Sequence, residues 1–326
     1  MQHLPKEVFD MLSQTGDSPE GEILRELHRL LCQQHEDARN ILLVETPSVR
    51  SGAPFKTDFR NARSRGSRAM RDARQGLLYS GGALANMLSA SLLDHVWALT
   101  RIIADDEHVS IYSPISVARI AVESAWKMQY LHAPEGDWQT RLLRIARELN
   151  EDVAREMAMA NDYPDRLISS EFTQKARERQ QHIDAELRTA GIEVTGKEVR
   201  LSVPKYSIPK NVNLTEQINK LFVDLPIVYR IGSGAVHGNL WYLRSIMVED
   251  KSHPTGVRPR PQVEMIGAAV EMAVAACEMA LRAYGVYFLE PVDDALQKAA
   301  RIRHYIAGTV GHYLSHIKPY TNGFQQ

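Results

Sequence analysis

The chain has 326 residues, 44% of them hydrophobic and 24% charged, which exceeds one typical domain and supplies ample material for a buried core. Its 39 Lys and Arg balance 40 Asp and Glu for a formal net charge of −1, so any electrostatic case for nucleic acid has to be local. The two cysteines, Cys32 and Cys277, lie far apart without metal-like spacing. That pattern excludes a disulfide framework and a cysteine metal centre, and it points to a reducing, cytoplasmic setting.

In chain order, Met1 to Asp10 carries Lys6, Glu7 and Asp10 and lacks the apolar run of a secretory signal. Ser18-Pro19 pairs an N-cap with proline at the first helical position, and Ile23, Leu24, Leu27, Leu30 and Leu31 follow at helical spacing. That helix is expected to reach about Glu45, before Pro47, Gly52 and Pro54 break the chain. A second helical region is expected from Lys56 to about Ala104, kinked at Gly81-Gly82. Ser113-Pro114 opens a helix to Leu131, and amphipathic helices follow over Asp137–Asn161 and Asp165–Ala190.

Ile192–Val203 is the one β-like passage, a short hairpin turning at Thr195-Gly196-Lys197. Asn213-Leu214-Thr215-Glu216 reads as a capping box. A helix from about Pro226 to Met247, a proline-rich loop over Glu249–Gln262, an apolar helix over Val263–Leu289 and a last helix to Ile317 complete the chain. The stretches Leu77–Ala104 and Val263–Leu289 approach membrane-helix length. Asp94 and Arg101 in the first, and Glu264, Glu271, Glu278 and Arg282 in the second, are expensive in hydrocarbon, so both are expected to be core helices and no membrane partner is expected. The predicted organisation is all-α: an N-terminal helical segment over 1–55, a large bundle over 56–318 with at most one short hairpin, and a loose tail over 319–326.

The segment Tyr229-Arg230-Ile231-Gly232-Ser233-Gly234-Ala235-Val236-His237-Gly238-Asn239 concentrates the chemistry. Seven residues of α-helix turn through about 700° and rise about 10.5 Å, so Arg230 and His237 would share one face two turns apart and could converge on one phosphate. Arginine offers a permanently charged fork of donors suited to phosphate oxygens, and histidine exchanges a proton near neutral pH. A cation that stabilises a phosphorane and a general acid–base are the two parts that metal-free RNA cleavage requires. The alternative reading makes His237 a core histidine satisfied by a carbonyl and the glycines a device for tight packing.

Arginine, six intervening residues and histidine, late in a helical chain, resemble the R-x(4–6)-H motif of the HEPN superfamily of helical-bundle proteins. The segment Val117-Ala118-Arg119-Ile120-Ala121-Val122-Glu123-Ser124-Ala125-Trp126 is similar to one that a group of bacterial, largely actinobacterial, helical proteins pairs with a later Ser-Gly-x-x-His-Gly, here Ser233 to Gly238. The resemblance covers about residues 80–290. It implies a helical bundle, usually a homodimer in which the motifs of two protomers meet, whose active members are metal-independent endoribonucleases of toxin–antitoxin or phage-defence systems. RNA and an antitoxin or other partner protein are then the implied partners, with no cofactor. Arg230 and His237 are the implied catalytic pair, with Tyr229, Ser233 and Asn239 as supporting polar contacts. Active members often carry a polar residue directly after the arginine, where this chain has Ile231.

Arg119 and Glu123, at i and i+4, are set to form an intrahelical ion pair, or Glu123 to orient Arg230 or His237. Lys56–Arg74 holds seven basic residues against Asp58 and Asp72. On one continuous helix Arg60, Arg63, Arg71 and Arg74 would fall within about an 80° arc, either a solvated face or a stripe that follows a phosphate backbone. Glu264, Glu271 and Glu278 recur at heptad spacing and either meet arginines of neighbouring helices, face water, or lie in a dimer seam. His312 and His316 share a helical face without a third clustered ligand, so no metal site is expected.

Overall fold

The computed structural model describes residues 19–43, 49–104, 110, 112–133, 136–162, 166–221, 232–239, 247–249, 252, 254–259 and 263–316. The class is the expected one, a helical bundle with little sheet. Helices α1 (Pro19–Leu42), α2 (Pro54–Ala62), α3 (Arg68–Ile103), α4 (Ser113–His132), α5 (Trp138–Asp162) and α6 (Arg166–Thr189) come first. Strands β1 (Ile192–Val194), β2 (Glu198–Leu201) and β3 (Tyr206–Pro209) lead to α7 (Leu214–Leu221) and a short helix α8 (232–236). Strands β4 (Met247–Glu249) and β5 (Val257–Pro259) precede α9 (Val263–Phe288) and α10 (Asp293–His316).

Local chemistry sets most of these limits. Pro114 stands in the first turn of α4, where its missing N–H is harmless. The Asn213 side chain accepts the Glu216 amide at 3.2 Å and caps α7. The expected helix over 56–104 is two helices, because residues 63–67 form an irregular turn and Ser67 starts α3 afresh by accepting the Met70 amide at 3.2 Å. No break falls at Gly81-Gly82. A Cβ at position 81 would overlap the Ile145 side chain, so this glycine admits a close approach of α5. The hairpin near 192–203 gains a third strand, with Ile192 opposite Leu201 and Val199 opposite Ile208 in an antiparallel meander. A second two-stranded ribbon, β4–β5, occupies part of what was expected to be helix end and loop.

Two apolar cores share α3. The larger gathers Leu27 and Leu31 of α1, Leu92, Val96 and Leu99 of α3, Val122 and Ala125 of α4, and nearly the whole of α9. The N-terminal segment is therefore part of the main bundle through α1. The smaller core lies under the meander and joins Leu77 and Leu78 of α3 to Leu142, Ile145 and Leu149 of α5, Ile183 and Leu187 of α6, and Val199 and Leu201 of β2. Leu88 and Tyr130 touch both. By length and composition α3 is the one helix among the described residues apolar enough to cross a membrane; here it packs against α1, α4 and α5.

A buried polar knot ties four helices. Arg141 of α5 grips Asp58 of α2 with two bonds, Nε to Oδ2 at 2.6 Å and Nη2 to Oδ1 at 2.8 Å, and also donates to the carbonyls of Ala133 and Gly136. The Tyr287 hydroxyl of α9 donates to Asp58 Oδ2 at 3.2 Å. The His132 ring, at the end of α4, stacks on Tyr287 with centroids 4.4 Å apart. Such a pair tolerates burial because each charge is met by several hydrogen bonds as well as by its counter-ion.

Candidate functional site

The site that the sequence singles out is built on α4. Its face Ile115, Ala118, Ala121 and Val122 enters the larger core, which leaves Arg119 and Glu123 near the edge. Arg119 Nε donates to Glu123 Oε1 at 2.9 Å, with side chains 15% and 30% exposed. The intrahelical pair therefore forms. Helix α8 lies directly over it: a Cβ at Gly232 would stand 3.2 Å from Arg119 Cβ and 3.4 Å from the Ile115 carbonyl, tighter than a side chain ordinarily allows. Glycine at 232 lets the two backbones meet. Ser233 is half-buried, and Ala235 packs against the larger core.

The motif helix ends sooner than expected. It was predicted to run through His237 to Met247, but the helical residues stop at Val236, and Met247 belongs to strand β4. The reason is local. Gly238 adopts φ +60°, its amide donates to the Ala235 carbonyl at 3.2 Å, and the Asn239 amide donates to the Gly234 carbonyl at 2.9 Å. These two bonds make a Schellman cap with glycine in the left-handed position. His237 is the C-cap residue, and its own amide still bonds to the Ser233 carbonyl at 3.1 Å, so it keeps the phase of the last turn. Its imidazole is exposed, as is Asn239. The core-histidine reading of His237 is excluded by that exposure. Arg230 and Tyr229 lie outside the described residues, so the placement of the Arg230 guanidinium relative to His237 is not described.

The basic stripe does not exist as one helical face. Arg60 and Arg63 sit on α2 and its C-cap, Arg71 and Arg74 on α3, and the turn between them removes the common phase. Arg60 and Arg63 are exposed and Arg71 is half-buried. Arg74 is wholly buried: its guanidinium donates to the carbonyls of Ala190 at 2.9 Å, Arg65 at 3.2 Å and Val203 at 2.5 Å, which ties α3 to the meander. Burial lowers its pKa, and no phosphate can reach it. A buried arginine among six exposed or half-exposed basic neighbours carries no sequence signal, since only the later chain supplies the carbonyls.

Two of the three heptad glutamates meet an arginine of a neighbouring helix, one of the alternatives their spacing left open. Arg303 of α10 donates to Glu278 at 3.2 Å and stands 3.9 Å from Glu271. Both carboxylates are thereby structural. His312 and His316 lie on α10. The knot of Asp58, Arg141, Tyr287 and His132 had no motif to announce it, because its members are spread over four helices. Comparison with known proteins decides nothing further. No family model, no curated protein and no solved structure matches this chain.

Proposed function

We propose that the protein is a HEPN-like RNA-processing protein acting as a metal-independent endoribonuclease. One observation supports it above the rest: the two segments that carry the resemblance, separated by more than a hundred residues in the chain, pack on each other through Gly232 and Arg119. In this reading the exposed His237 imidazole is the general acid–base. It removes the proton of a ribose 2′-hydroxyl, whose oxygen attacks the adjacent phosphorus; the 5′-oxygen leaves with a proton, and a 2′,3′-cyclic phosphate remains. Arg230 holds the phosphate and stabilises the charge that gathers on its oxygens. The Arg119–Glu123 pair is a positioning element beneath the motif, and Ser233 and Asn239 are secondary polar contacts. A toxin or phage-defence role follows from the same resemblance.

The test is incubation of the purified protein with total RNA. Cleavage that leaves 2′,3′-cyclic phosphate ends, persists in chelator and is lost in His237→Ala supports the assignment. Cleavage of equal rate in His237→Ala removes it. A second reading, a non-catalytic helical protein that binds RNA, a nucleotide or a partner protein, draws on the purely structural roles that Gly232 and Gly238 fulfil. RNA retained on the wild-type protein without cleavage would favour that reading.

A further inference from the structure

Helix α3 buries one face in both cores, and among the described residues much of another face is exposed, with Tyr79 resting against Phe59 and Trp97 against His35 at its flanks. With Tyr79 as the origin and about 100° per residue, Asp72, Tyr79, Ala83, Asn86, Met87, Ala90, Asp94, Trp97 and Arg101 fall within about a 100° arc spanning about 44 Å. Large apolar side chains on that arc are open to solvent: Tyr79 is 63% exposed, Met87 59% and Trp97 47%. At its carboxyl end the stripe borders a groove of about 380 Å³ between α1 and α3, lined by His35, Arg39, Leu43, Ala90, Leu93, Asp94 and Trp97. Exposed apolar side chains aligned on one helix face, beside a groove and edged with charges, suit a binding face.

The arrangement of the charges identifies the occupant. In an antiparallel pair of identical helices about a two-fold axis, residue i faces residue j with i plus j constant, and every contact occurs twice. One register makes this face its own complement. Asp72 meets Arg101, Tyr79 meets Asp94, Ala83 meets Ala90 and Asn86 meets Met87 across the axis. Two ion pairs then close the ends, two tyrosine hydroxyls donate to carboxylates further in, and four alanines near the centre let the helix axes approach. Tyr79, Ala90 and Arg101 are eleven residues apart, as are Asp72, Ala83 and Asp94, a repeat of about 3.67 residues per turn that favours a right-handed supercoil. The Asp72 side chain is 64% exposed and stands 3.8 Å from Arg68, and the Arg101 guanidinium lies 5.8 Å from the Trp97 ring centre. A bilayer would gain nothing from this alternation of charge and would have to take up both carboxylates.

We infer that α3 is a self-association surface, on which a second copy of this chain docks antiparallel with Asp72 of each protomer opposite Arg101 of the other. The face is distinct from the motif-centred dimer that the family resemblance implies, and its test reads mass rather than RNA cleavage. Light scattering and sedimentation of the full chain over a hundredfold concentration range should show a reversible association that doubles the mass of the smallest species. Ala90→Glu should abolish that step while the helical circular dichroism and its melt stay unchanged. Asp72→Arg or Arg101→Asp alone should weaken dimerisation about tenfold. The double variant Asp72→Arg/Arg101→Asp should restore it, because the pairing is reinstated with reversed sign. A mass that does not change with concentration, an association step indifferent to Ala90→Glu, or a double variant no tighter than the single ones overturns the inference. So does wild-type protein that stays monomeric in buffer yet floats with phosphatidylcholine–phosphatidylglycerol vesicles, which would make the face a lipid contact.

Discussion

Replacing His132 with leucine should remove much of the protein's sensitivity to acid. The imidazole is 1% exposed, stacked on Tyr287, and neither ring nitrogen has a hydrogen-bond partner among the described residues. Burial, reinforced by the Arg141 charge, lowers its pKa from 6.5 to about 3. In the unfolded chain the same ring takes up a proton below its ordinary value, so the unfolded state binds more protons and stability falls with pH. The contribution is complete above pH 6.5 and is lost progressively down to about 3, with about 2 kcal/mol gone by about pH 5 and about 5 kcal/mol at the lower limit. His132→Leu is close in volume and removes the titrating group, with a change at neutral pH of about 1.5 kcal/mol or less. Urea unfolding of both proteins at neutral pH and at about pH 5 reads the effect, since the other titrating groups are common to the two. Equal losses of stability on acidification in wild type and variant would refute the reasoning.

Breaking the Asp58–Arg141 pair by Asp58→Ala should cost about 3–5 kcal/mol, because it leaves a buried guanidinium without its counter-ion; a thermal melt followed by circular dichroism measures this. Gly285→Ala should destabilise by about 1–3 kcal/mol in the same assay, since its Cβ would lie 2.5 Å from Val292 Cγ2 at the close return from α9 to α10. Gly82→Ala should instead stabilise by about 1 kcal/mol, since nothing lies within 4 Å of the added carbon in an uninterrupted helix. Gly238→Ala should destabilise by about 1–2 kcal/mol and speed amide exchange at His237 and Asn239, whereas Gly238→Asn should be milder, because asparagine tolerates the left-handed conformation at φ +60°.

The helices were legible where start signals and apolar period agreed, as at Pro114, although α4 is capped by Tyr112 rather than Ser113, and at Asn213, which caps α7 although the Glu216 carboxylate pairs with Lys220 rather than reaching back. For the glutamate heptad an arginine was legible as one alternative among several, and neither that choice nor Arg303 itself could be read from the spacing. Two failures have different causes. The turn over 63–67 contains no proline, and the double glycine at 81–82 looks like a hinge, yet the chain breaks at the first and runs through the second. The break is local, since Gly66 adopts φ +99° and Ser67 caps the next helix, a Ser-Arg-Gly-Ser turn signal passed over in the sequence. The continuity is tertiary, since Ile145 fills the space that a Cβ at 81 would need. Of the candidate site, the approach of α8 to α4 was readable as a condition on Gly232, and the exposure of His237 follows from the cap at Gly238. The early end of that helix was not anticipated, because Gly238 was read as a packing residue rather than as a terminator.

An uninterrupted α3 of 36 residues has an architectural consequence. It lends one flank to each apolar core, and the only position along it that resembled a joint is sealed by a branched methyl group of Ile145. One unbroken helix thus joins the core under the meander to the core that α1 enters, with no loop between them along its length.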